Sequence, residues 1–238
     1  MMELPRPGLD RVLARVDRIW APDGAPHHLV LGQTGSGKTT LIKALLGLCE
    51  YERVLILDPK PAADAIWDGP AGQPDRWGRP VTTVGPMFGH GGEPGGGPHG
   101  RWYRLTGAPD RADTARRFAE ALAIAAAEGH CVLVLDDVRE MCRQLRLAEQ
   151  VDSVLNLGRS ANVLAVLSTT ETAYVSGRSQ GGIVWVGHSQ GLAGARAGAA
   201  LLGWRGRERE DICAAVEPHE WIFSEEQSGS AGPCLIRG

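Results

Sequence analysis

No apolar stretch of this 238-residue chain approaches the roughly twenty residues that a membrane-crossing helix requires. The longest, such as Val132–Leu135 and Val163–Leu167, have the length of core strands. Met1–Leu13 already carries acids, prolines and arginines, so no cleavable leader is expected there. The five cysteines (Cys49, Cys131, Cys142, Cys213, Cys234) form no C-x-x-C pair, which argues against a zinc site and for reduced thiols in a cytosolic protein. The seven histidines lack metal-ligand spacing, and His27-His28 abuts a strand pattern, so packing is their default role. Positive charge is not in excess either. A net charge of −3 gives no global basic field for nucleic acid, and leaves a local patch or a ring of copies as the ways to hold it. No Asn-Lys-x-Asp guanine-reading sequence occurs.

What is present is a globular composition, 43% hydrophobic and 22% charged, long enough to bury one substantial core. Its sharpest local feature is Gly32-Gln-Thr-Gly-Ser-Gly-Lys-Thr-Thr40, which contains the full pattern G-x-x-x-x-G-K-[ST]. His28–Leu31 before it has strand character, and Leu41–Leu46 after it has helical spacing. That context turns a glycine-rich turn into a phosphate loop, because successive backbone N–H groups and a helix N-terminus then point at one anion. Gly32, Thr34, Gly35, Ser36, Gly37, Lys38, Thr39 and Thr40 are the expected nucleotide-binding residues. Lys38 is expected on the β- and γ-phosphates and the Thr39 hydroxyl on Mg²⁺.

Along the rest of the chain, strands alternate with helices, the pattern of a parallel sheet covered on both faces. Residues 1–27 form a polar entry with Leu9, Val12, Leu13, Val16 and Ile19 at helical spacing. Strands are expected at 28–32, 53–57, 101–105, 131–135, 163–167 and 183–186. Helices are expected at 38–50, 110–128, 192–202 and, as one stripe, from Val138 to about Leu157. Residues 61–109 read as an insertion whose low-complexity centre, 85–100, is a loop. Residues 220–223 and 234–236 read as a terminal hairpin. The fold expected is α/β: a RecA-like P-loop NTPase domain over 1–238, with a mainly parallel sheet, flanking helices and a C-terminal β-hairpin.

The strand Val132–Leu135 ends in Asp136-Asp137, where the acid of a second nucleotide motif sits at the carboxyl end of a parallel strand. Asp136 is expected to bind Mg²⁺, the alternative being that it caps the following helix. Asp137, or nearby Glu140, is the candidate to polarise the attacking water. The stretch Ser176–Gly182 faintly resembles the ABC-transporter signature, but it follows the acidic strand instead of preceding it and is set aside.

Taken together, these motifs resemble the FtsK/HerA superfamily of DNA-pumping ATPases. Gly32–Lys38 looks like that family's P-loop, and Leu55-Ile-Leu-Asp-Pro-Lys60 like its second strand. Leu157-Gly-Arg-Ser, running to Leu167-Ser-Thr-Thr170, resembles its arginine, strand and Thr-Gln sensor. Ile183–Gln190 followed by Ala199–Gly203 is similar to its closing strand and small-residue helix. The resemblance implies ATP and Mg²⁺ as cofactors, and a homo-oligomeric ring, a hexamer, acting on double-stranded DNA. It implies that Arg159 reaches into a neighbouring subunit's ATP, a solvated helix-end arginine being the alternative. Thr169 and Thr170 match the sensor, with Thr170 in place of the glutamine; Asp137 stands where the family has glutamate. Glu171 is a stand-in for either. Asp58 and Lys60 support the site or a subunit contact, or merely form a strand-end turn. With no room for a membrane anchor or an added barrel, the chain looks like the genome-packaging ATPases of membrane-containing double-stranded DNA viruses. That likeness implies a capsid-vertex or membrane-portal partner and a place in host cytoplasm or on the virion. A conjugative or mobile-element DNA-transfer ATPase is the runner-up, and a non-motor phosphotransferase or adaptor the alternative from another class. Arg205, Arg207 and Arg209 beside Trp204 form a basic cluster that touches a phosphate backbone or, as the commoner reading, a solvated loop.

Overall fold

The computed structural model describes residues 4–19, 26–48, 53–61, 67, 77, 79–84, 101–158, 160–172, 182–225 and 234–237. Arg159 and the 85–100 loop lie outside these residues.

The described chain runs α1 (Leu9–Ile19), β1 (His28–Leu31), α2 (Lys38–Leu46), β2 (Arg53–Pro61), β3 (Arg79–Val81), β4 (Arg101–Gly107), α3 (Arg111–Glu128) and β5 (Cys131–Leu135). It continues with α4 (Ala148–Leu157), β6 (Val163–Thr169), β7 (Ile183–Gly187), α5 (Gly191–Leu201), α6 (Arg207–Ala214), β8 (Glu220–Glu225) and β9 (Cys234–Arg237). All nine strands join one sheet in the order β3-β4-β2-β5-β6-β1-β7-β8-β9. Pairing is parallel from β3 through β7 and antiparallel from β7 to β8 and β8 to β9. The α/β class and the C-terminal hairpin expected from the sequence are therefore present.

The central strands are apolar throughout because both faces of the sheet are covered. Leu29, Leu31, Leu55, Leu57, Leu133 and Leu135 pack with Phe118 and Leu122 of α3, Val151 and Val154 of α4, Ala195 of α5 and Cys213 of α6. The alternate residues, Val30, Val54, Ile56, Val132 and Val134, pack with Val12 and Val16 of α1 and Leu41, Ile42 and Leu45 of α2. The phosphate-loop helix thus lies on one face and the four later helices on the other. Trp185 of β7 and Phe223 of β8 lock the hairpin to the sheet, with ring centroids 4.7 Å apart. Among the described residues no helix is long and apolar enough to cross a membrane.

Four details depart from the sequence reading. The stripe from Val138 to Leu157 is not one helix: Glu140–Gln144 forms a wide turn, with Leu145 N–H bonded to the Glu140 carbonyl at 3.1 Å, and Arg146 adopts a left-handed φ of 59° before α4 begins. The wide turn keeps Val138, Met141, Leu145 and Leu147 buried across the break, which is why the apolar period looked continuous. Residues 207–214, read as a loop, form the helix α6, whose polar sequence buries only Cys213. β2 and β4 outlast their apolar cores, pairing through Asp58 and again at Pro61 with Gly107. β3, only three residues long and with a proline at its centre, carried no strand signal of its own.

Candidate nucleotide site

The loop after β1 is fastened at its root by Gly32 N–H to the Thr169 carbonyl (3.1 Å) and Gln33 N–H to the His188 carbonyl (3.0 Å), so it grows from the ends of β6 and β7. It then turns through Gly35 (φ 83°) and Gly37 (φ 92°), conformations that side chains with a Cβ rarely adopt. At Gly37 a Cβ would also stand 2.7 Å from the His219 ring Nδ1. α2 starts immediately afterwards with no side-chain cap and no acidic residue in its first turn. Its first N–H groups are left to an outside acceptor, and its dipole favours an anion there.

Lys38 folds over the loop, donating to the carbonyls of Gly32 (2.8 Å) and Gln33 (2.9 Å). Burial lowers its pKa from the usual lysine value; Asp136 and Asp137 pull it back up, and Lys60 adds to the lowering. Thr34, Gly35, Gly37, Lys38, Thr39 and Thr40 line one face of a cavity of about 340 Å³. Gly32 and Ser36 lie beneath that surface: Ser36 is buried, and a Cβ on Gly32 would meet its hydroxyl at 2.6 Å.

The opposite wall comes from the tips of β5 and β6: Asp136, Asp137, Ser168, Thr169 and Thr170. Parallel pairing of Leu135 with Leu167 brings Asp136 and Ser168 side by side. Ser168 Oγ donates to Asp136 Oδ1 at 2.6 Å, and the Trp67 indole N–H donates to Oδ2 at 3.1 Å. The carboxylate is 3% exposed and held by both oxygens. Capping falls instead to Asp137, whose Oδ1 accepts Glu140 N–H at 3.2 Å; its own N–H donates to Ser168 Oγ at 3.0 Å, with φ at 61°. The alternative that Asp136 caps the next turn is thereby overturned. Thr169 Oγ1 bonds to the Glu171 backbone, and the Glu171 carboxylate pairs with Arg139 at 3.1 Å instead of lining the cavity. Glu140 does not line it either.

Asp58 is buried at the tip of the neighbouring β2 and accepts Lys60 N–H at 3.1 Å, while Lys60 itself reaches the cavity wall. Burial first, then the nearby Asp136 charge, pushes the Asp58 carboxyl up to about 6. Three residues of the site were not singled out from sequence: Trp67, Ser168 and His219. Ser168 was readable only once β5 and β6 are paired in register. His219 arrives from the turn before β8, in a left-handed conformation (φ 65°), with its N–H on the Ser36 carbonyl at 3.3 Å.

These features fit a magnesium-bound nucleotide. Gly35 and Gly37 hold the positive φ that the loop's turn requires, and the buried Ser36 Oγ has no hydrogen-bond partner among the described residues. Thr39 and Asp136 offer hard oxygen donors, the chemistry Mg²⁺ selects. Among the described residues no cluster of three or more His, Cys, Asp or Glu side chains is arranged to bind a metal by protein ligands alone.

No family model matches the chain, and no curated protein matches it. Solved structures do. The genome packaging NTPase B204 from Sulfolobus turreted icosahedral virus 2, in complex with sulfate, aligns with a TM-score of 0.61 at 14% identity, over 91% of this chain and 97% of that one. Its complex with AMPPCP aligns at 0.60 and 14% identity, over 90% and 97%. VirB4 of Thermoanaerobacter pseudethanolicus aligns at 0.52 and 11% identity, over 89% and 88%. At these identities the shared property is the fold.

Proposed function

We propose that the chain is a single ATPase domain spanning 1–238 that hydrolyses Mg²⁺-bound ATP and, as a homo-oligomeric ring, moves double-stranded DNA into a viral capsid. One observation carries the ATPase reading: Thr34, Gly35 and residues 37–40 of the loop and Asp136, far apart in sequence, line one cavity at the carboxyl ends of parallel strands. That is where α/β sheets of this kind bind their ligands. The packaging reading draws on the shared fold with a packaging NTPase whose whole length the chain nearly covers.

In this reading the backbone of 35–39 cradles the β- and γ-phosphates and Lys38 leaves its two carbonyls to join them. Thr39 and Asp136 would hold Mg²⁺, which would supply positive charge beside the phosphates. The second oxygen of Asp137 accepts a proton from the attacking water, and Thr170 orients that water from the tip of β6. Arg159 supplies positive charge from the neighbouring subunit, which couples hydrolysis to ring assembly. A capsid vertex or membrane portal is the docking partner, and the motor acts in host cytoplasm or on the virion.

Phosphate release measured with and without long duplex DNA, together with elution size with ATP, tests this. A several-fold rise with duplex and a hexamer-sized peak are expected, and Arg159→Ala keeps nucleotide binding while losing turnover. ATP turnover by a monomer indifferent to DNA would replace the motor with the phosphotransferase or adaptor reading.

A further inference from the structure

Trp67 is buried (1% exposed), yet its indole N–H is spent on a carboxylate. One side of the ring faces the Lys43 ammonium of α2, 5.8 Å from the ring centroid. Lys43 lies further along the same helix as Lys38 and also sits 5.7 Å over Trp77, whose ring contacts Trp102 of β4. The indole therefore spans the gap between the phosphate-loop helix and the acidic tip of β5. An aromatic that merely filled this space would need no donor, and an apolar ring would serve. Here the N–H is aimed at Oδ2 while Ser168 takes Oδ1. Two donors on opposite oxygens fix the plane of the carboxylate. They use only part of its roughly four acceptor sites, so the remainder stays available to the cavity.

We propose that Trp67 is a positioning residue for the magnesium-binding carboxylate, holding Asp136 in the orientation in which it meets the metal. The proposal rests on the Mg²⁺-nucleotide reading of the cavity. It follows from the general behaviour of metal ligands, whose outer hydrogen-bond partners set their orientation and typically matter 10- to 100-fold in metal affinity. It also gives the tryptophan-lysine contact a consequence. The same ring thus touches both the phosphate-loop helix and Asp136.

The test is a Mg²⁺ titration of mant-AMPPNP binding, read by anisotropy of the directly excited mant group, for wild type, Trp67→Phe and Asp136→Asn. Trp67→Phe keeps an aromatic ring and loses the donor. Its Mg²⁺ midpoint is expected to rise about 10-fold, with affinity in EDTA within about twofold of wild type. A midpoint within about twofold of wild type overturns the positioning role. Asp136→Asn separates the two levels: if its Mg²⁺ response is unchanged, the metal-site reading itself fails, whereas a lost response beside a normal Trp67→Phe sinks only the positioning role. Should Trp67→Phe not fold, the wild-type protein still decides. One ¹⁵N-indole resonance must move with Mg²⁺ at the nucleotide-binding midpoint and cease to do so in Asp136→Asn; indole signals that ignore the metal overturn the proposal.

Discussion

The phosphate loop, residues 32–40, is turned by its own glycines and fastened at its root by backbone bonds, whereas the carboxylate of Asp136 is oriented by side chains 32 and 69 positions away. On the first side, two left-handed glycines, an uncapped helix start and Lys38 curled back on its own loop make the cradle from nine consecutive residues. On the second side, a strand register and a buried indole do the work. A local device survives as a readable motif because its spacing is its geometry. A device assembled across the sheet leaves no such trace.

The largest effect expected on the local side is from Lys38→Ala. Removing the ammonium takes away both the loop clamp and the phosphate contact, and phosphate release should fall by more than about 100-fold, as when a main charge-stabilising donor is lost. Turnover within about tenfold of wild type would mean that the loop does not carry the chemistry.

Gly37→Ala probes the place where the two modes of construction touch. The new Cβ meets a φ of 92° and the His219 ring at 2.7 Å. Forcing an ordinary residue into such a conformation costs about 1–3 kcal/mol. Thermal unfolding should shift down accordingly, and nucleotide affinity with it. Adding His219→Ala should restore only part of the loss, because it relieves the contact and leaves the backbone strain. Full recovery in the double variant would show that the distant histidine, not the loop's own conformation, sets the requirement for glycine.

The smallest effect lies at the foot of β1, away from the cavity. There His28 Nδ1 accepts the Trp185 indole N–H at 3.2 Å. Burial, with a smaller contribution from His27, lowers its pKa from 6.5 to about 3. The unfolded chain takes up this proton below pH 6.5, and the folded chain does not until about pH 3. Stability from this group is thus complete above pH 6.5 and is lost as pH falls, at up to about 1.4 kcal/mol per pH unit. Denaturant midpoints compared at pH 7 and pH 5 should converge in His28→Gln. An unchanged pH slope in that variant would remove His28 from the account.

The same contrast explains what could be read from residues alone. β1, β5, β6 and β7 were legible because a strand buried on both faces must be apolar, and α3 because Phe118, Leu122 and Ala125 recur at helical spacing on one buried face before Gly129. The terminal hairpin showed in Trp221, Phe223 and Ile236, whose apolar side chains are buried in pairs across β8 and β9. β3 was not legible, since the three residues Arg79-Pro-Val81 are too few to show an alternating pattern. Nor was α6, whose charged sequence reads like any exposed segment. Asp136 itself stood out as an acid at a strand end, but that Asp137 is the residue capping the next turn did not. Which of two adjacent carboxylates turns inward depends on Ser168 and on a positive φ, neither of which spacing records.

The claim beneath all of this is that the cradle and Asp136 serve one magnesium-bound nucleotide. Calorimetric titration of Asp136→Ala with a non-hydrolysable ATP analogue, in Mg²⁺ and in EDTA, tests it most directly. The account predicts that the variant binds alike in both conditions, having lost the enhancement Mg²⁺ gives the wild type. An enhancement equal to wild type would contradict it.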